Sequence, residues 1–342
     1  MRILESCPPM CENPTNLPFK VAALYKFATV DDPPALQAEI LAICQKQDLK
    51  GTILVAHEGI NGTVSGHEND IDALVRWLRA QSLFGDIDVK YAYADECPFL
   101  RMKVRLKKEI VTLGVEGVDP ARQAGTYVDP ENWNDLIARE DVTLIDTRND
   151  YEVGIGTFEG AVNPKTESFR ELPDWLDDHL DEDRDTPIAM FCTGGIRCEK
   201  STALLRARGY RNIFHLKGGI LNYLETVPEE ESAWEGECFV FDNRVSVTHD
   251  LETGSYDLCH ACRRPISDED KQDERYEKGV SCPNCFDQIS QKDRARFAER
   301  QRQIEIAEKQ NRQHLAVNVG EARAAKRKRL EEQKERSRQS QS

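Results

Sequence analysis

The chain has 342 residues, 39% of them hydrophobic and 31% charged, with a formal charge of −15. That length suggests two or three cores rather than one. The acidic balance, taken alone, argues against a nucleic-acid partner, so any such partner must be met by local clusters of Lys and Arg. No run approaches the roughly 18 apolar residues that span a bilayer. The first residues, Met1-Arg2-Ile3-Leu4-Glu5-Ser6-Cys7-Pro8-Pro9, lack the apolar stretch of a secretory leader. A cytoplasmic protein with no membrane partner is therefore expected. Eleven cysteines, an odd number with four in two Cys-x-x-Cys pairs, fit metal and thiol chemistry in a reducing compartment better than a disulfide framework.

The first predicted domain runs from 19 to 115. Lys20–Phe27 is a β-rich run, Pro34–Lys46 has helical spacing, and Gly51–His57 and Gly62–Ser65 flank the turn signal Gly59-Ile60-Asn61-Gly62. Glu68–Gln81 is helical again, and Ile87–Tyr93 and Met102–Val111 supply further strands. The order β-α-β-β-α-β predicts an α+β fold of the ferredoxin-like or acylphosphatase-like kind. In His57-Glu58-Gly59-Ile60-Asn61-Gly62 imidazole, carboxylate and amide crowd a glycine-bearing turn, so His57 and Asn61 are candidate substrate contacts; a simple hairpin connection is the alternative. From Phe99 to Lys107 charges fall at alternate positions, and period two puts Arg101, Lys103, Arg105 and Lys107 on one strand face. That stripe can contact RNA phosphates, or serve solubility alone.

A linker with Gly117, Pro120 and Gly125 leads to a second predicted domain, 124 to 230. Val142–Ile145, Pro187–Phe191 and Asn212–Leu216 read as buried strands, and Glu199–Arg208 as a helix closed by Gly209. Strands alternating with helices imply an α/β domain with a parallel sheet, whose sites form outside the carboxyl ends of the strands. Cys192 stands at such an end, in the loop Cys192-Thr193-Gly194-Gly195-Ile196-Arg197. Glycines let backbone N–H groups turn inward, and the helix that follows adds partial positive charge; together they favour a thiolate. A buried cysteine before an ordinary turn is the plainer alternative. The loop resembles the Cys-x-x-Gly-x-Arg loop of the rhodanese superfamily at Cys192, Gly195 and Arg197, with supporting marks at Asp146-Thr147-Arg148, Tyr151-Glu152, Gly160-Ala161-Val162-Asn163 and Leu216-Lys217-Gly218-Gly219-Ile220. Phosphatases of related architecture place Arg six residues after Cys; here Arg197 comes at five, and position 198 is Cys. Cys198 either resolves an oxidised Cys192 by forming a disulfide or packs at the helix start.

In a third predicted module, 245 to 290, Cys259-x-x-Cys262 and Cys282-x-x-Cys285 are separated by a spacing suited to one tetrahedral zinc with four thiolates, a structural site with no open position. His260 is a less favoured substitute ligand, and redox thiols or an iron–sulfur site are the alternatives. From Ile289 to Ser342 the chain carries 15 Lys/Arg against 8 Asp/Glu. Helix is expected over Arg294–Gln313 and Glu321–Arg336, but apolar positions are sparse, so residues 291–342 read as a mobile basic tail. Its run Lys326-Arg327-Lys328-Arg329 is either a second phosphate-binding patch or a solvated charge run.

Three segments occur in one order: His57-Glu58-Gly59-Ile60-Asn61-Gly62-Thr63, then Phe191 to Lys200, then Gly236-Glu237-Cys238-Phe239-Val240-Phe241-Asp242-Asn243-Arg244-Val245. With the distal cysteine pairs, this order resembles the rhodanese-domain tRNA uridine hydroxylases over about residues 19 to 290. The resemblance implies a tRNA partner, O2 as co-substrate, and formation of 5-hydroxyuridine at the wobble position. The residues themselves display no dinucleotide fingerprint and no two-His-one-carboxylate iron set, so no organic cofactor is recognisable. Cys192 would then be an oxidisable or persulfide-bearing thiol, or a nucleophile toward C6 of uridine. A sulfurtransferase needing only the central domain and a nonenzymatic RNA-binding scaffold are the competing readings.

Overall fold

A computed structural model describes residues 18–309. The chain divides into two compact units, one reaching Asp242 and including Val247–Thr253, the other comprising Asn243–Ser246 and Gly254 onward. The Lys326–Arg329 run and the helix expected over Glu321–Arg336 lie outside the described residues.

The first unit begins with β1 (Phe19–Phe27), α1 (Pro33–Lys46), β2 (Lys50–Ala56), β3 (Gly59–Gly66), α2 (Glu68–Ala80), β4 (Asp88–Ala94) and β5 (Met102–Leu106). Asp32 starts α1 by accepting the Ala35 N–H at 3.0 Å, and the prolines in the first turn lose nothing because N–H groups there have no helical partner. The sheet order is β4-β1-β3-β2-β5, antiparallel except for β2 beside β5. Ala22, Leu24, Ile53, Val55, Ile60 and Val64 project from one face and bury Ile40, Cys44, Ile71, Leu74, Val75 and Leu78 of the two helices. The opposite face has no helix of this domain on it.

Two expectations are corrected here. Gly59-Ile60-Asn61-Gly62 is strand, not turn; the hairpin turns at His57-Glu58, with Ala56 paired to Gly59. The glycines serve close backbone approach instead: a Cβ at Gly59 would lie 1.9 Å from the Lys26 carbonyl oxygen, and one at Gly62 would lie 2.3 Å from that of Thr52. The strand expected to reach Val111 ends at Leu106. Beyond it Glu58 accepts the Ile110 N–H at 2.7 Å, drawing the chain away from the sheet toward the hairpin turn.

The chain then forms α3 (Pro120–Gln123), β6 (Thr126–Val128), α4 (Trp133–Ile137), β7 (Thr143–Asp146), α5 (Asp150–Val153), β8 (Gly156–Phe158), α6 (Leu172–His179), β9 (Ile188–Phe191), α7 (Ile196–Ala207), β10 (Ile213–Leu216), α8 (Gly219–Thr226) and β11 (Trp234–Gly236). Strands β6-β10-β9-β7 form a parallel sheet in that order, and β8 pairs with β11. The apolar run of β9 is buried on both sides. Ala189 and Phe191 join Trp133, Phe158, Leu216, Tyr223 and Trp234 on one face. Ile188, Met190 and Cys192 join Ile145, Leu172, Leu176, Leu204 and Ile213 on the other. Gly209, at φ +93, ends α7 in a left-handed turn.

In the second unit Asp257–Leu258 pairs antiparallel with Pro265–Ile266, and Cys259, Cys282 and Cys285 are buried with Ile266. Within the segment read as a tail, helix is found as expected from Arg294 and starts earlier, as the 19-residue α9 (Gln291–Lys309). Its inner face carries Gln301 and Ala307, which are buried, and Arg300 donates to the carbonyls of His260 and Gly279 at 2.9 Å. Arg294 lies 4.5 Å from the Phe286 ring centroid. Few apolar residues suffice because guanidinium groups satisfy otherwise exposed carbonyls of the cysteine module.

Candidate active site

Cys192 follows β9 directly, and Gly195, at φ +97, turns the chain into α7. The thiol sulfur accepts the Gly195 N–H at 3.2 Å. The loop is also held from below. The N–H groups of Ile220 and Leu221 in α8 bind the carbonyls of Cys192 and Thr193 at 2.9 and 3.0 Å. Gly219, at φ +67, leaves no room for a Cβ, which would lie 2.5 Å from the Cys192 carbonyl oxygen. The motif Lys217-Gly218-Gly219-Ile220 is thus the floor of the thiol loop.

Arg197 does not point freely into solvent. Its Nη1 and Nη2 form a bidentate pair with Glu152 at 2.7 and 2.8 Å, and Nη2 reaches Thr193 Oγ1 at 3.2 Å. Glu152 is completely buried and belongs to a capping box with Asn149, so α5 presents it to the loop. Burial opposes ionisation of Glu152, but the charges of Arg197 and Arg148 hold its carboxyl below the usual range. Arg148 is itself pinned to Asp146, with Nη2 to Oδ2 at 2.6 Å.

Burial likewise opposes a thiolate at Cys192. A hydrogen bond from Cys198, the nearby Arg197 charge and the N–H groups of Cys198 and Gly195 outweigh it, and hold the thiol below its ordinary range. Burial, together with the Cys192 sulfur, pushes the Cys198 thiol well up. The pair therefore places its negative charge on Cys192. Thr147 Oγ1 lies 3.5 Å from the Cys198 sulfur.

The open face of the first sheet meets this loop. Tyr25 donates to Glu199 Oε1 at 2.7 Å, and a Cβ at Gly195 would lie 2.9 Å from the Tyr25 hydroxyl. Lys90 reaches Asn222 at 2.7 Å. Below them Lys200 is enclosed: its Nζ lies 2.8 Å from both oxygens of Glu58, 2.6 Å from Glu109 Oε2 and 2.9 Å from the Val111 carbonyl. Strand register sets which side chains share this face. Asp88, Tyr25, Asn61, Leu54 and Arg105 form one cross-strand row; Lys90, Ala23, Thr63, Thr52 and Lys103 form the next. Lys103 and Arg105 thus lie on the sheet face that carries Tyr25, at its far edge. Arg101 and Lys107 flank β5, and both are exposed. His57 Nδ1 is 2.9 Å from the Val30 carbonyl, and Asn61 Nδ2 donates to that of Ile110 at 2.9 Å. Glu58 is the carboxylate of the His57–Gly62 candidate, whereas Tyr25, Glu109, Glu199 and Lys200 were not singled out as site residues by sequence reasoning; the one local sign was the charged pair Glu199-Lys200 at the start of an otherwise buried helix.

In the second unit the sulfurs of Cys259, Cys262, Cys282 and Cys285 all lie within 4.8 Å of one another. Separations of 3.9 Å for Cys259–Cys285, 3.7 Å for Cys262–Cys282 and 3.6 Å for Cys282–Cys285 exceed any disulfide. They approach the edge of about 3.8 Å of a tetrahedron with metal–sulfur bonds of about 2.3 Å. The four cysteines are positioned to bind a metal ion, and His260 is exposed outside the cluster.

Two known families match the chain. A family described as the UPF0176 acylphosphatase-like domain matches residues 19–110, and the rhodanese-like domain family matches residues 129–226. The chain carries an acylphosphatase-like domain followed by a rhodanese domain. This pairing is consistent with the UPF0176 family. Among solved structures, a rhodanese-like domain from an Anabaena protein is 20% identical over 32% of this chain and 78% of its own, with a TM-score of 0.27. An acylphosphatase from Coxiella burnetii is 14% identical over 28% of this chain and all of its own (100%), at 0.22. A polysulfide-sulfur transferase homodimer from Wolinella succinogenes is 23% identical over 31% and 78%, at 0.26. Among the described residues no helix is long and apolar enough to cross a membrane.

Proposed function

We propose that this chain is a tRNA-modifying enzyme that converts the wobble uridine to 5-hydroxyuridine with O2, using Cys192 as nucleophile. The observation that carries the reading is the placement of Tyr25, on a second domain's sheet, against the thiol loop, with Lys103 and Arg105 on the same sheet face at its far edge. A sulfurtransferase acting on small molecules has no use for such a face. Phe241, 60% exposed with its ring 5.9 Å from the Arg197 guanidinium carbon, offers a stacking surface for an unpaired base. Arg101, Lys103, Arg105 and Lys107 would hold phosphates, with Asn61 and His57 supporting the sheet that presents them.

In this reading the Cys192 thiolate adds to C6 of uridine and makes C5 electron-rich toward oxygen. In one pass uridine, O2 and the Cys192 and Cys198 thiols give 5-hydroxyuridine, water and one disulfide, which an external thiol must reduce before the next pass. The thiol pair thereby reduces the second oxygen atom, and no organic cofactor is needed. The cysteine cluster of the second unit would hold one structural zinc, closed to water by four thiolates; metal analysis of reduced protein should find about one zinc per chain, and iron or no metal would overturn it.

The test is nucleoside analysis of tRNA from cells carrying wild type or Cys192→Ser. The variant should fold and yield no 5-hydroxyuridine; full modification would end the assignment. The short loop itself favours a second reading, transfer of persulfide sulfur from Cys192 to a thiol or tRNA acceptor. Thiolated rather than hydroxylated uridine in the same experiment would select it.

A further inference from the structure

Glu199 is the carboxyl group of the thiol site that the chemistry so far leaves without a task. It stands two residues beyond Arg197 on α7, half-buried, and accepts hydrogen bonds from two tyrosines of different domains: Tyr25 on β1 at 2.7 Å, and Tyr127 on β6. The Tyr25 hydroxyl packs on Gly195, whose N–H binds the Cys192 sulfur. Tyr25 and Gly195 thus link the carboxylate to the thiol, and the two groups are near enough for their charges to interact.

We propose that Glu199 is the base of the thiol site, accepting the C5 proton of the covalent uridine adduct as Cys192 is released, with Tyr25 and Tyr127 positioning it. The proposal rests on the hydroxylation reading. Once C5 carries both hydroxyl and hydrogen, aromatic character returns only if that hydrogen leaves as a proton. Its C–H electron pair becomes the C5–C6 π bond, the C6–S pair departs on sulfur, and the proton goes to a Glu199 oxygen. No oxidant enters this step. Tyr127, 48% exposed, gives the proton a hydroxyl through which to reach water.

The charges around Glu199 suit a base that must recover. Burial first, and then the neighbouring negative groups Asp88 on β4 and Cys192, raise its affinity for a proton, while the hydrogen bonds from Tyr25 and Tyr127 oppose them. Lys200, the next residue, is committed to Glu58 and Glu109, and Lys90 to Asn222, so neither ammonium ties up the carboxylate. When Cys192 is a thiolate, Glu199 is the more basic; when sulfur is bonded to carbon, that repulsion is gone and the carboxylate is free to act.

The experiment compares wild type, Glu199→Gln, Glu199→Asp and Tyr25→Phe as full-length proteins by two readouts. The first is the pH profile of Cys192 alkylation by iodoacetamide. Glu199→Gln, having no charge to repel the thiolate, should move the profile to lower pH by roughly half a unit. The second is turnover on tRNA: Glu199→Gln should slow 5-hydroxyuridine formation by about 10²–10⁴-fold and accumulate a Cys192–tRNA adduct stable on a denaturing gel. Glu199→Asp should recover part of the rate and Tyr25→Phe should fall between. Wild-type turnover or an unmoved alkylation profile in Glu199→Gln would overturn the role of Glu199 alone. A moved profile with neither adduct nor 5-hydroxyuridine from any of the four proteins would overturn the uridine step and the hydroxylase reading together.

Discussion

The mainly antiparallel sheet of the acylphosphatase-like domain has its own helices on one face only, whereas the parallel sheet of the rhodanese domain is covered on both. The difference decides what each can contribute. A sheet buried on both sides can expose chemistry only where strands end, and Cys192 emerges there, wrapped by backbone N–H groups and an Arg197–Glu152 pair. A sheet with its own helices on one face only turns the other face to a different domain, and rows of side chains fixed by register turn Tyr25, Asn61, Lys103 and Arg105 in one direction. One domain holds the thiol loop; the other sets Tyr25 against it.

The sharpest way to break this division is at Glu152. Glu152→Ala would leave Arg197 buried without its counter-ion, and such a loss costs about 3–5 kcal/mol. Denaturant unfolding should show a loss of that size, with diminished thiolate reactivity at Cys192; a loss below about 1 kcal/mol would mean the loop is held by its backbone hydrogen bonds alone.

Next comes the joint between the domains. Lys200→Met removes the ammonium shared by Glu58 and Glu109, whose side chains keep 22% and 21% of their exposure. The expected cost is about 2 kcal/mol, below that of a fully buried pair because both carboxylates retain some water. Burial raises the Glu109 carboxyl, but Lys200 and the Leu113 and Gly114 N–H groups bring it below its usual range. A depressed carboxyl contributes stability above its unfolded value of about 4.3 and loses it as pH falls through the folded one. Wild type should therefore weaken on acidification through that window, and Lys200→Met should weaken less; parallel curves would remove Lys200 from the account.

The smallest effect belongs to the open face. Arg101→Glu with Arg105→Glu should weaken tRNA binding and reduce its salt slope by about 2, one for each arginine taken from a phosphate. Thiol alkylation should be unchanged. An unaltered slope would move the RNA to another surface.

Much of this division can be read from the chain. The run Ala189-Met190-Phe191 before Cys192-Thr193-Gly194-Gly195 announces a buried strand and an anion cradle because both patterns are local. The joint is not local: Lys200 and Glu58 are 142 positions apart, and Tyr25 and Glu199 are 174 apart. No periodicity tells which charged residues will meet across such distances. Asn61-Gly62 misleads for a different reason. The dipeptide favours a tight hairpin, yet the same glycine also permits strands to approach closely, and tertiary packing chose the second use. In α9, sparse apolar residues suggested a mobile segment, because composition does not register that arginines would be bound by carbonyls of the cysteine module.

The enclosure of Lys200 also bears on synthesis at the ribosome. Glu58 and Glu109 are translated long before the lysine that neutralises them, and for that interval the acylphosphatase-like domain presents two carboxylates converging on a point no cation yet occupies. Like charges so placed repel, and the ammonium that offsets them comes from another domain. The N-terminal domain thus draws the partner of its own two carboxylates from α7, the helix that follows the Cys192 loop.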